Sequence, residues 1–317
     1  MAHGKVLVTG GAGFIGSHVA EQYLEGGWDV TIVDNLSSGK RHNVPDGATF
    51  VEADIGAPET RAVLAGGGFT ILNHHAAQLD VRVSVANPAY DAQVNLLGLL
   101  NLLEGAREGG VRRVVFASSG GVVYGESDDL PHRETARKLP VSQYGVSKLA
   151  SEFYLAAYAQ MYGLETVALR YANVYGPRQD THGEAGVVAI FGSRIKRGEP
   201  LKVFGDGRQT RDYVFVEDVA RANVAATTCA LAPVYEIDDR AFNVGTSVET
   251  SVLDLARAMV SVSGREVPTT HAPARTGELA RSAVAVGRAA ERLGWHPQHD
   301  LAAGLAKTWD WIQTTED

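Results

Sequence analysis

The sequence lacks several features that would place it in other protein classes. It has a single cysteine, Cys229, so it cannot form an internal disulfide, and a reducing compartment suits it. No apolar run approaches the ~20 residues that a membrane-spanning helix needs. The chain also enters an apolar strand at once, without the pattern of a signal peptide. These absences predict a soluble, cytoplasmic protein.

The sequence is also poor in the features of nucleic-acid and metal-binding proteins. Its net charge of −8 argues against nucleic acid as a main partner. The only adjacent histidines, His74 and His75, fall on a predicted strand and should point to opposite faces, so they do not form a metal site. With 317 residues, the chain suits one α/β domain with a second lobe. We expect no metal, no nucleic acid and no membrane partner.

Glycine, by contrast, is placed at regular intervals near the start of the chain. Gly10, Gly13 and Gly16 lie between an apolar strand, Lys5–Thr9, and an amphipathic helix, Phe14–Glu25. The first glycine permits a tight turn, the second lets a pyrophosphate approach the backbone, and the third allows close packing of helix on strand. The N-terminus of that helix offers free N–H groups to phosphates. The pattern therefore predicts a dinucleotide-binding turn.

An acidic residue at the expected distance strengthens this interpretation. Asp34 ends a second strand, Asp29–Asp34, and lies 18 residues beyond Gly16. A carboxylate at this place accepts hydrogen bonds from the adenosine ribose and repels a 2′-phosphate, which favours NAD over NADP. Lys40 and Arg41 follow and offer charges for a 2′-phosphate, but a solvated turn is the preferred interpretation of that pair.

Strands and helices alternate along the first half of the chain. Further strands are predicted at residues 48–52, 71–74, 113–118 and 165–170, with long helices at residues 88–108 and 144–162. This order predicts an α/β fold, a doubly wound parallel (Rossmann) sheet with a smaller C-terminal substrate-binding domain. We assign residues 1–175, with 213–248 returning, to the NAD-binding domain, and residues 176–212 and 249–317 to the substrate-binding domain. Later helices are predicted near residues 187–197 and 301–313.

A tyrosine and a lysine carry the predicted chemistry. Tyr144 and Lys148 are four residues apart, so their side chains share one helix face. A free tyrosine titrates near ~10, too high for a base at neutral pH, but a nearby ammonium should lower its pKa. Ser119, at a strand end, offers a hydroxyl to the same substrate oxygen. The group predicts a base that takes a proton from an alcohol as hydride leaves for NAD.

Several motifs along nearly the whole chain resemble those of one family. They lie at residues 9–16, 34–36, 75–77, 118–119, 124–125, 144 with 148, 169–177, 203–206 and 211–213. Together they resemble the extended short-chain dehydrogenases/reductases, and within them the UDP-galactose (UDP-glucose) 4-epimerases. The resemblance implies Tyr144 as the base, Lys148 as its electrostatic partner and a serine or threonine as the third member.

The chain departs from that family pattern at two places. Many epimerases have the catalytic hydroxyl where this chain has Gly120, and a subgroup with Gly-Gly there uses the preceding residue. We therefore assign Ser119, with Ser118 as the alternative. The chain also has Ser142-Gln143-Tyr144 where Ser-Pro-Tyr is commoner.

The residues expected to bind ligands fall into two groups. The cofactor contacts are Gly10, Gly13, Phe14, Ile15, Gly16, Asp34, Asn35, Leu36, Ser38, Gly39, Asp54, Ile55, Ala76, Ala77, Gln78, Asn95, Ser118, Tyr144, Lys148 and Tyr171. The resemblance implies these substrate contacts: Asn173 at the diphosphate, Val187, Val203 and Phe204 at the uracil, Arg211 and Arg275 at the pyrophosphate, Glu278 at the ribose, and Ser282 beside the sugar, with Ser119 and Tyr144 at the reacting carbon.

The implied reaction is inversion at C4 of a UDP-hexose through a 4-keto intermediate, with NAD retained and regenerated. A 4,6-dehydratase is disfavoured because Gly120-Gly121 replaces its Asp-Glu pair, and a decarboxylating relative because no acid lies between Ser119 and Tyr124. A non-catalytic NAD sensor or a simple reductase is the remaining alternative. The sugar stays open among glucose, its 2-acetamido form and glucuronate; the small Ser282 favours tolerance of UDP-N-acetylglucosamine.

The resemblance also implies a homodimer. In the family, two long helices of each subunit pair as a four-helix bundle, here residues 88–108 and 144–162. The leucine-rich face of the first helix and Phe153, Leu155 and Tyr158 on the second suit this role. Helices that only cover the sheet are the alternative.

Overall fold

The computed structural model describes residues 4–180, 186–274 and 279–315, and a seven-stranded sheet lies at its centre. The thirteen strands, in chain order, are β1 Lys5–Thr9, β2 Asp29–Asp34, β3 Thr49–Glu52, β4 Ile71–His74, β5 Arg113–Ser119, β6 Glu165–Tyr171, β7 Asn173–Tyr175, β8 Leu201–Phe204, β9 Thr210–Arg211, β10 Tyr213–Phe215, β11 Ala241–Val244, β12 Thr250–Ser251 and β13 Thr269–Ala272. The main sheet has the order β11-β6-β5-β4-β1-β2-β3, and every neighbouring pair is parallel. The doubly wound parallel fold is thus confirmed.

This strand order reverses direction at β1. The chain runs from β1 outward to β3, then returns to place β4 on the other side of β1. A crevice opens at such a point, beyond the carboxyl ends of the strands, and ligands of open α/β sheets bind there. The predicted glycine turn follows β1 directly, so the fold brings it to this crevice.

Twelve helices surround the strands in the described ranges. They are α1 Phe14–Glu25, α2 Pro58–Gly66, α3 Val81–Ala86, α4 Pro88–Ala92, α5 Gly98–Glu108, α6 Gly120–Val123, α7 Gln143–Tyr162, α8 Val187–Lys196, α9 Val216–Thr228, α10 Val252–Ser263, α11 Gly287–Leu293 and α12 Leu301–Thr314. None of the helices within these ranges is long and apolar enough to cross a membrane.

The helix predicted at residues 88–108 is interrupted. A π-helical turn, Gln93–Leu97, separates α4 from α5. Such a turn accommodates one extra residue, and π turns often occur at functional sites. Asn95 sits inside it and is buried, and its amide bonds the loop after β4. The hydrophobic pattern continues across the break, which is why the sequence predicted a single helix.

Apolar side chains pack on both faces of the sheet. One cluster joins the sheet to α2, α5 and α7, and it contains Leu64, Leu102 and Leu155. On the opposite face, Val19 and Val219 from α1 and α9 pack on the strands. A separate core, with Phe191, Met259 and Trp309, joins α8, α10 and α12 to the small strands. The two-domain boundaries stay a prediction, although Ala289 and Trp295 add to the core of the main sheet.

Candidate active site

The glycine turn leaves no room for side chains at two of its three glycines. Gly10 has φ +69°, and a Cβ there would lie 2.6 Å from the amide nitrogen of Ala76 on the loop after β4. A Cβ on Gly16 would lie 2.2 Å from the carbonyl oxygen of Gly10. Helix α1 begins at Phe14 without a side-chain cap. Its first N–H groups therefore face the crevice, as an anionic group requires.

Asp34 is fixed beside this turn by backbone donors. Its Oδ2 accepts from the amide of Ala12 at 3.0 Å, and its Oδ1 accepts from the amide of Leu36 at 2.9 Å. Leu36 has φ +55°, a left-handed turn that brings the chain back over the carboxylate. A Cβ on Gly39 would lie 2.8 Å from Asp34 Oδ1, so the turn passes very close. This geometry fits the ribose of a dinucleotide.

The two cations that follow Asp34 are differently placed. The Arg41 guanidinium lies 4.2 Å from the centre of the Phe50 ring in a cation–π contact, and it is therefore engaged away from Asp34. Lys40 is exposed, and its backbone amide donates to Ala12 at 2.9 Å. The solvated-turn interpretation suits Lys40 better than a role at a 2′-phosphate.

The expected adenine side shows one exposed and one buried residue. Asp54 is exposed, and its carboxylate accepts a hydrogen bond from the side-chain amide of Asn35 at 2.8 Å. This bond links the ends of β2 and β3. Ile55 packs instead into the core, in contact with the position above Gly98. Ser38 is exposed. Phe14 and Ile15 are partly buried at the start of α1.

The loop after β4 is held by one asparagine. Asn95 accepts from the amide of Gln78 at 3.0 Å and donates to its carbonyl at 2.9 Å. These two bonds fix the backbone of Ala76–Ala77–Gln78, which closes the crevice opposite Gly10. Asn95 therefore acts on the loop rather than pointing into the crevice by itself.

His75 and Tyr171 lie at the ends of β4 and β6. Their rings stack with centroids 6.2 Å apart, and the Tyr171 hydroxyl bonds the amide of Asn223. Burial and the Lys148 charge lower the pKa of His75 to about 3, so its ring is neutral. His74 is also buried, and Thr9 bonds it. Within the described residues, no group of ligands that could hold a metal is found.

Helix α7 carries the expected base. Ser142 caps the helix by accepting from the amide of Gly145 at 3.1 Å, so the first turn presents Tyr144 at the end of β5. Lys148 Nζ donates to the carbonyl of Ala117 at 2.8 Å and lies 5.7 Å from the centre of the Tyr144 ring. The structure therefore brings the tyrosine and the lysine together at the crevice.

The expected lowering of the tyrosine pKa is not produced by the protein's own groups. Burial raises the pKa of Tyr144, and the carboxylate of Asp91 raises it further. Burial also lowers the pKa of Lys148 to about 8, although Asp91 and Glu152 act in the opposite direction. In the protein alone the pKa of Tyr144 is therefore raised rather than lowered, and removal of the phenolate from water is the largest cause.

The two candidate serines have different surroundings. Ser118 is buried, and its hydroxyl donates to Glu152 at 2.5 Å. Its side chain therefore belongs to the protein interior, and its assignment as a cofactor contact stays a prediction. Ser119 is partly exposed at the end of β5, where its Oγ lies 3.8 Å from the position that a Cβ on Gly121 would occupy. Ser119 is the hydroxyl that faces the crevice.

The substrate side of the crevice is lined by residues from several segments. Asn173 is exposed, and its Oδ1 lies 3.9 Å from the same empty position above Gly121. Ser282 is buried in an extended segment that pairs with Thr210 and Asp212. Val284, two residues further, lies 2.8 Å from where a Cβ on Gly120 would be. This extended segment therefore runs beside the end of β5.

The remaining substrate assignments stay predictions, and their residues differ in exposure. Val203 is fully buried in the second core, where it packs beside the Gly207 turn. Phe204 and Val187 are partly exposed. Arg211 is partly exposed and donates to the carbonyl of Thr210 at 2.8 Å. Arg275 and Glu278 lie outside the described residues.

The sequence interpretation missed two buried acids near this site. Glu152 follows Lys148 by four residues, as Lys148 follows Tyr144, so all three share one face of α7. Asp91 precedes Asn95 by the same interval and bonds it at 3.1 Å. In both cases the sequence contains an acidic residue four positions from a candidate site residue on a predicted helix, and this spacing could have indicated both acids.

Known proteins similar to this chain are nucleotide-sugar enzymes. A sequence model of the NAD dependent epimerase/dehydratase family matches residues 6–245. The chain is 45% identical over 309 residues to a UDP-glucose 4-epimerase of Mycolicibacterium smegmatis, with 96% of this chain and 97% of that protein covered.

Solved structures agree with this. The UDP-glucose 4-epimerase of Thermotoga maritima, determined with UDP-glucose, has a TM-score of 0.93, 43% identity and coverage of 97% and 98% of the two chains. The Thermus thermophilus UDP-glucose 4-epimerase, determined with NAD, has a TM-score of 0.90, 42% identity and coverage of 98% and 100%. A UDP-N-acetylglucosamine 4-epimerase of Methanobrevibacter ruminantium has a TM-score of 0.91, 31% identity and coverage of 98% and 99%.

We expect Gly16→Ala to weaken NAD binding by about tenfold or more, since ~1–3 kcal/mol of overpacking would fall on the turn that contacts Gly10. Calorimetry on protein freed of nucleotide measures the affinity. Gly66→Ala is the matched control, because nothing lies within 4 Å of the added Cβ. Equal affinity of both variants would show that the close contact at Gly16 does not shape the nucleotide site.

Proposed function

The chain belongs to the NAD dependent epimerase/dehydratase family, and on that basis we propose that it interconverts UDP-glucose and UDP-galactose by inverting C4. One observation carries the proposal: Lys148 Nζ lies 5.7 Å from the centre of the Tyr144 ring and bonds the carbonyl of Ala117, two residues before Ser119 on β5. The names of the relatives support the same reaction.

In this proposal the protein side chains remove and return one proton. Bound NAD would accept the C4 hydride and later return it. Tyr144 removes the proton of the C4 hydroxyl as the C4–H bond breaks, and the sugar becomes a 4-ketone. Ser119 donates a hydrogen bond to the same oxygen. Lys148 favours the ionised tyrosine by its charge, and Tyr144 returns the proton when the sugar is reduced from its other face.

A second sugar is supported by the residues beside the reacting carbon. Ser282 is small and lies two residues before Val284, which lies 2.8 Å from where a Cβ on Gly120 would be. The family resemblance implies that this residue lies beside the C2 substituent of the sugar, where a larger side chain would leave no room for an acetamido group. The M. ruminantium neighbour is named for UDP-N-acetylglucosamine. We therefore keep a 4-epimerase of that sugar as the alternative.

Other reactions of the family have less support. A glucuronate needs a cation at the sugar end, yet Arg178 bonds Glu21 on α1 and Arg194 bonds the carbonyl of Pro200. A 4,6-dehydratase needs acidic residues where Gly120 and Gly121 stand. A non-catalytic sensor would not need the Tyr144–Lys148 pair.

We also propose a homodimer formed through α4, the π turn and α7. Val146 and Phe153 are seven residues apart on the continuous helix α7, so they lie on one helix face. Tyr90 on α4 and Leu97 at the end of the π turn are also exposed. Leu97 is 61% exposed and Phe153 is 58% exposed. Exposed apolar faces of this kind mark interaction surfaces.

The helix face proposed here for the dimer differs from the face that the sequence analysis expected. Leu155 and Leu103 are buried in the core on the sheet, and Tyr158 donates from its hydroxyl to Glu104 at 2.7 Å. These apolar side chains cover the sheet and are not part of the proposed dimer face.

A cytoplasmic location is part of the proposal, and the single half-buried thiol of Cys229 supports it.

We expect the purified protein to interconvert UDP-glucose and UDP-galactose without added NAD, and to release NAD rather than NADP when denatured. Tyr144→Phe should lower kcat by about 10²- to 10⁴-fold, the usual contribution of a positioned proton acceptor. Separation of the C4 epimers from a panel of UDP- and dTDP-sugars measures this. Near wild-type turnover in Tyr144→Phe would remove that residue as the base.

The two serines provide an internal control for the same experiment. Ser119→Ala should cost more turnover than Ser118→Ala, because only the Ser119 hydroxyl faces the crevice. The reverse order would transfer the third role to Ser118.

Substrate breadth should depend on Ser282. We expect Ser282→Tyr to lower kcat/KM for UDP-N-acetylglucosamine by at least tenfold relative to UDP-glucose, because a ring would occupy the room of the acetamido group. An unchanged ratio of the two kcat/KM values would place Ser282 away from the sugar. Ser261→Tyr, on the outer part of α10, controls for a general effect of an added ring.

The dimer should be visible by light scattering at micromolar concentration. Phe153→Glu should shift it to the monomer mass, because a charge buried at the interface is costly. Val248→Glu, on the exposed segment between β11 and β12, should stay dimeric. A wild-type monomer of about the chain mass, 33.7 kDa, would refute the dimer.

A further inference from the structure

The acid Asp91 lies where the two halves of the site meet. Its side chain is fully buried on α4, yet all of its partners belong to segments that carry site residues. One carboxylate oxygen accepts from the hydroxyl of Ser147 at 2.5 Å, directly before Lys148 on α7. The other accepts from Asn95 at 3.1 Å and from the side chain of Gln78 at 3.2 Å.

These bonds form a continuous connection across the crevice. Ser147 belongs to the helix of the base, whereas Asn95 holds both backbone groups of Gln78 on the cofactor side. We propose that Asp91 is a positioning residue, through which the Tyr144–Lys148 helix and the loop after β4 are held in register. The inference rests on the proposed function only in taking Tyr144 as the base.

The charge of Asp91 has a second effect, on the ionisable pair. Its carboxylate raises the pKa of Tyr144 and also that of Lys148, against the lowering of the Lys148 pKa by burial. It therefore keeps the ammonium protonated while making the phenolate harder to form. A carboxylate at this place stabilises the charged form of Lys148 and destabilises the charged form of Tyr144.

Other ionisable groups act on the same lysine. Within the described residues, the groups linked electrostatically to Lys148 come from α4, α7 and β4: Asp91, Glu152, His74 and His75. Burial and Lys148 keep both histidines neutral by lowering their pKa values. Strand β5 contributes the Phe116 ring and the Ala117 carbonyl, which do not titrate. Of the two carboxylates, Glu152 is paired with the buried Arg170, whereas the hydrogen-bond partners of Asp91 are the uncharged side chains of Ser147, Asn95 and Gln78.

Two substitutions separate the bonds of Asp91 from its charge. Asp91→Asn retains an acceptor for Asn95 and Gln78, and its amide donates to Ser147, whose hydroxyl can turn to accept. It therefore removes the charge and keeps the contacts. Ser147→Ala removes the contact to α7 and keeps the charge. Ser151→Ala is the control, because that buried hydroxyl donates only to the carbonyl of Ser147 within α7.

The charge is tested by titrating the tyrosinate absorption of NAD-bound protein, taken as the difference from the same protein with Tyr144→Phe. Removing the carboxylate lowers the pKa of both partners, so we expect the tyrosinate titration of Asp91→Asn to move down by about one pH unit. Ser147→Ala and Ser151→Ala should titrate as wild type.

The positioning is tested by amide hydrogen exchange of the segment containing Gln78. Ser147→Ala should speed exchange there by at least tenfold, whereas Ser151→Ala should not. Exchange equal to the control overturns the positioning role, and a titration of Asp91→Asn that coincides with wild type overturns the effect of its charge. If Asp91→Asn does not fold, the exchange in Ser147→Ala decides alone. Neither readout needs a sugar substrate, so both stand even if the proposed epimerisation fails.

Discussion

A buried arginine holds the strand ends and the helix that together form this site. Arg170, near the end of β6, is fully buried, and its guanidinium bonds Glu152 on α7, Asp238 and the carbonyl of Glu134. Glu152 also accepts from Ser118, next to Ser119 on β5. Removing one member of such a network leaves an uncompensated buried charge, which costs ~3–5 kcal/mol. The position of α7 relative to β5, and hence of Tyr144 relative to Ser119, depends on this charge balance.

The protein's own electrostatics favour an inactive form of the base. Burial and Asp91 raise the pKa of Tyr144, burial lowers that of Lys148 to about 8, and burial with the Lys148 charge lowers that of His75 to about 3. Asp91 compensates the lysine but not the tyrosine. The polypeptide thus supplies geometry and a protonated lysine, whereas ionisation of the tyrosine depends on whatever further positive charge enters the crevice.

The sequence predicted most of the strands because their signals are local. The glycine turn, Asp34 and the Tyr144–Lys148 spacing each follow from short-range chain geometry, and the structure has β1, β2 and α1 at the expected residues. The features that the sequence did not indicate, such as the burial of Val203, depend on long-range packing. Val203 alternates correctly for a strand, but which face is buried depends on α10, more than forty residues later. The π turn at Asn95 and the buried Asp91 likewise depend on partners from β4 and α7, which no local pattern specifies.

The sheet draws its last pieces from late in the chain. Strand β11 comes after residue 240, and Ala289 and Trp295 then complete the apolar layer against it. During synthesis, which releases the N-terminal part first, the nucleotide crevice would leave the ribosome long before the edge of the sheet that supports it is covered. The β6 edge beside Arg170 therefore stays unpaired until the chain has been synthesised at least as far as Val244, where β11 ends.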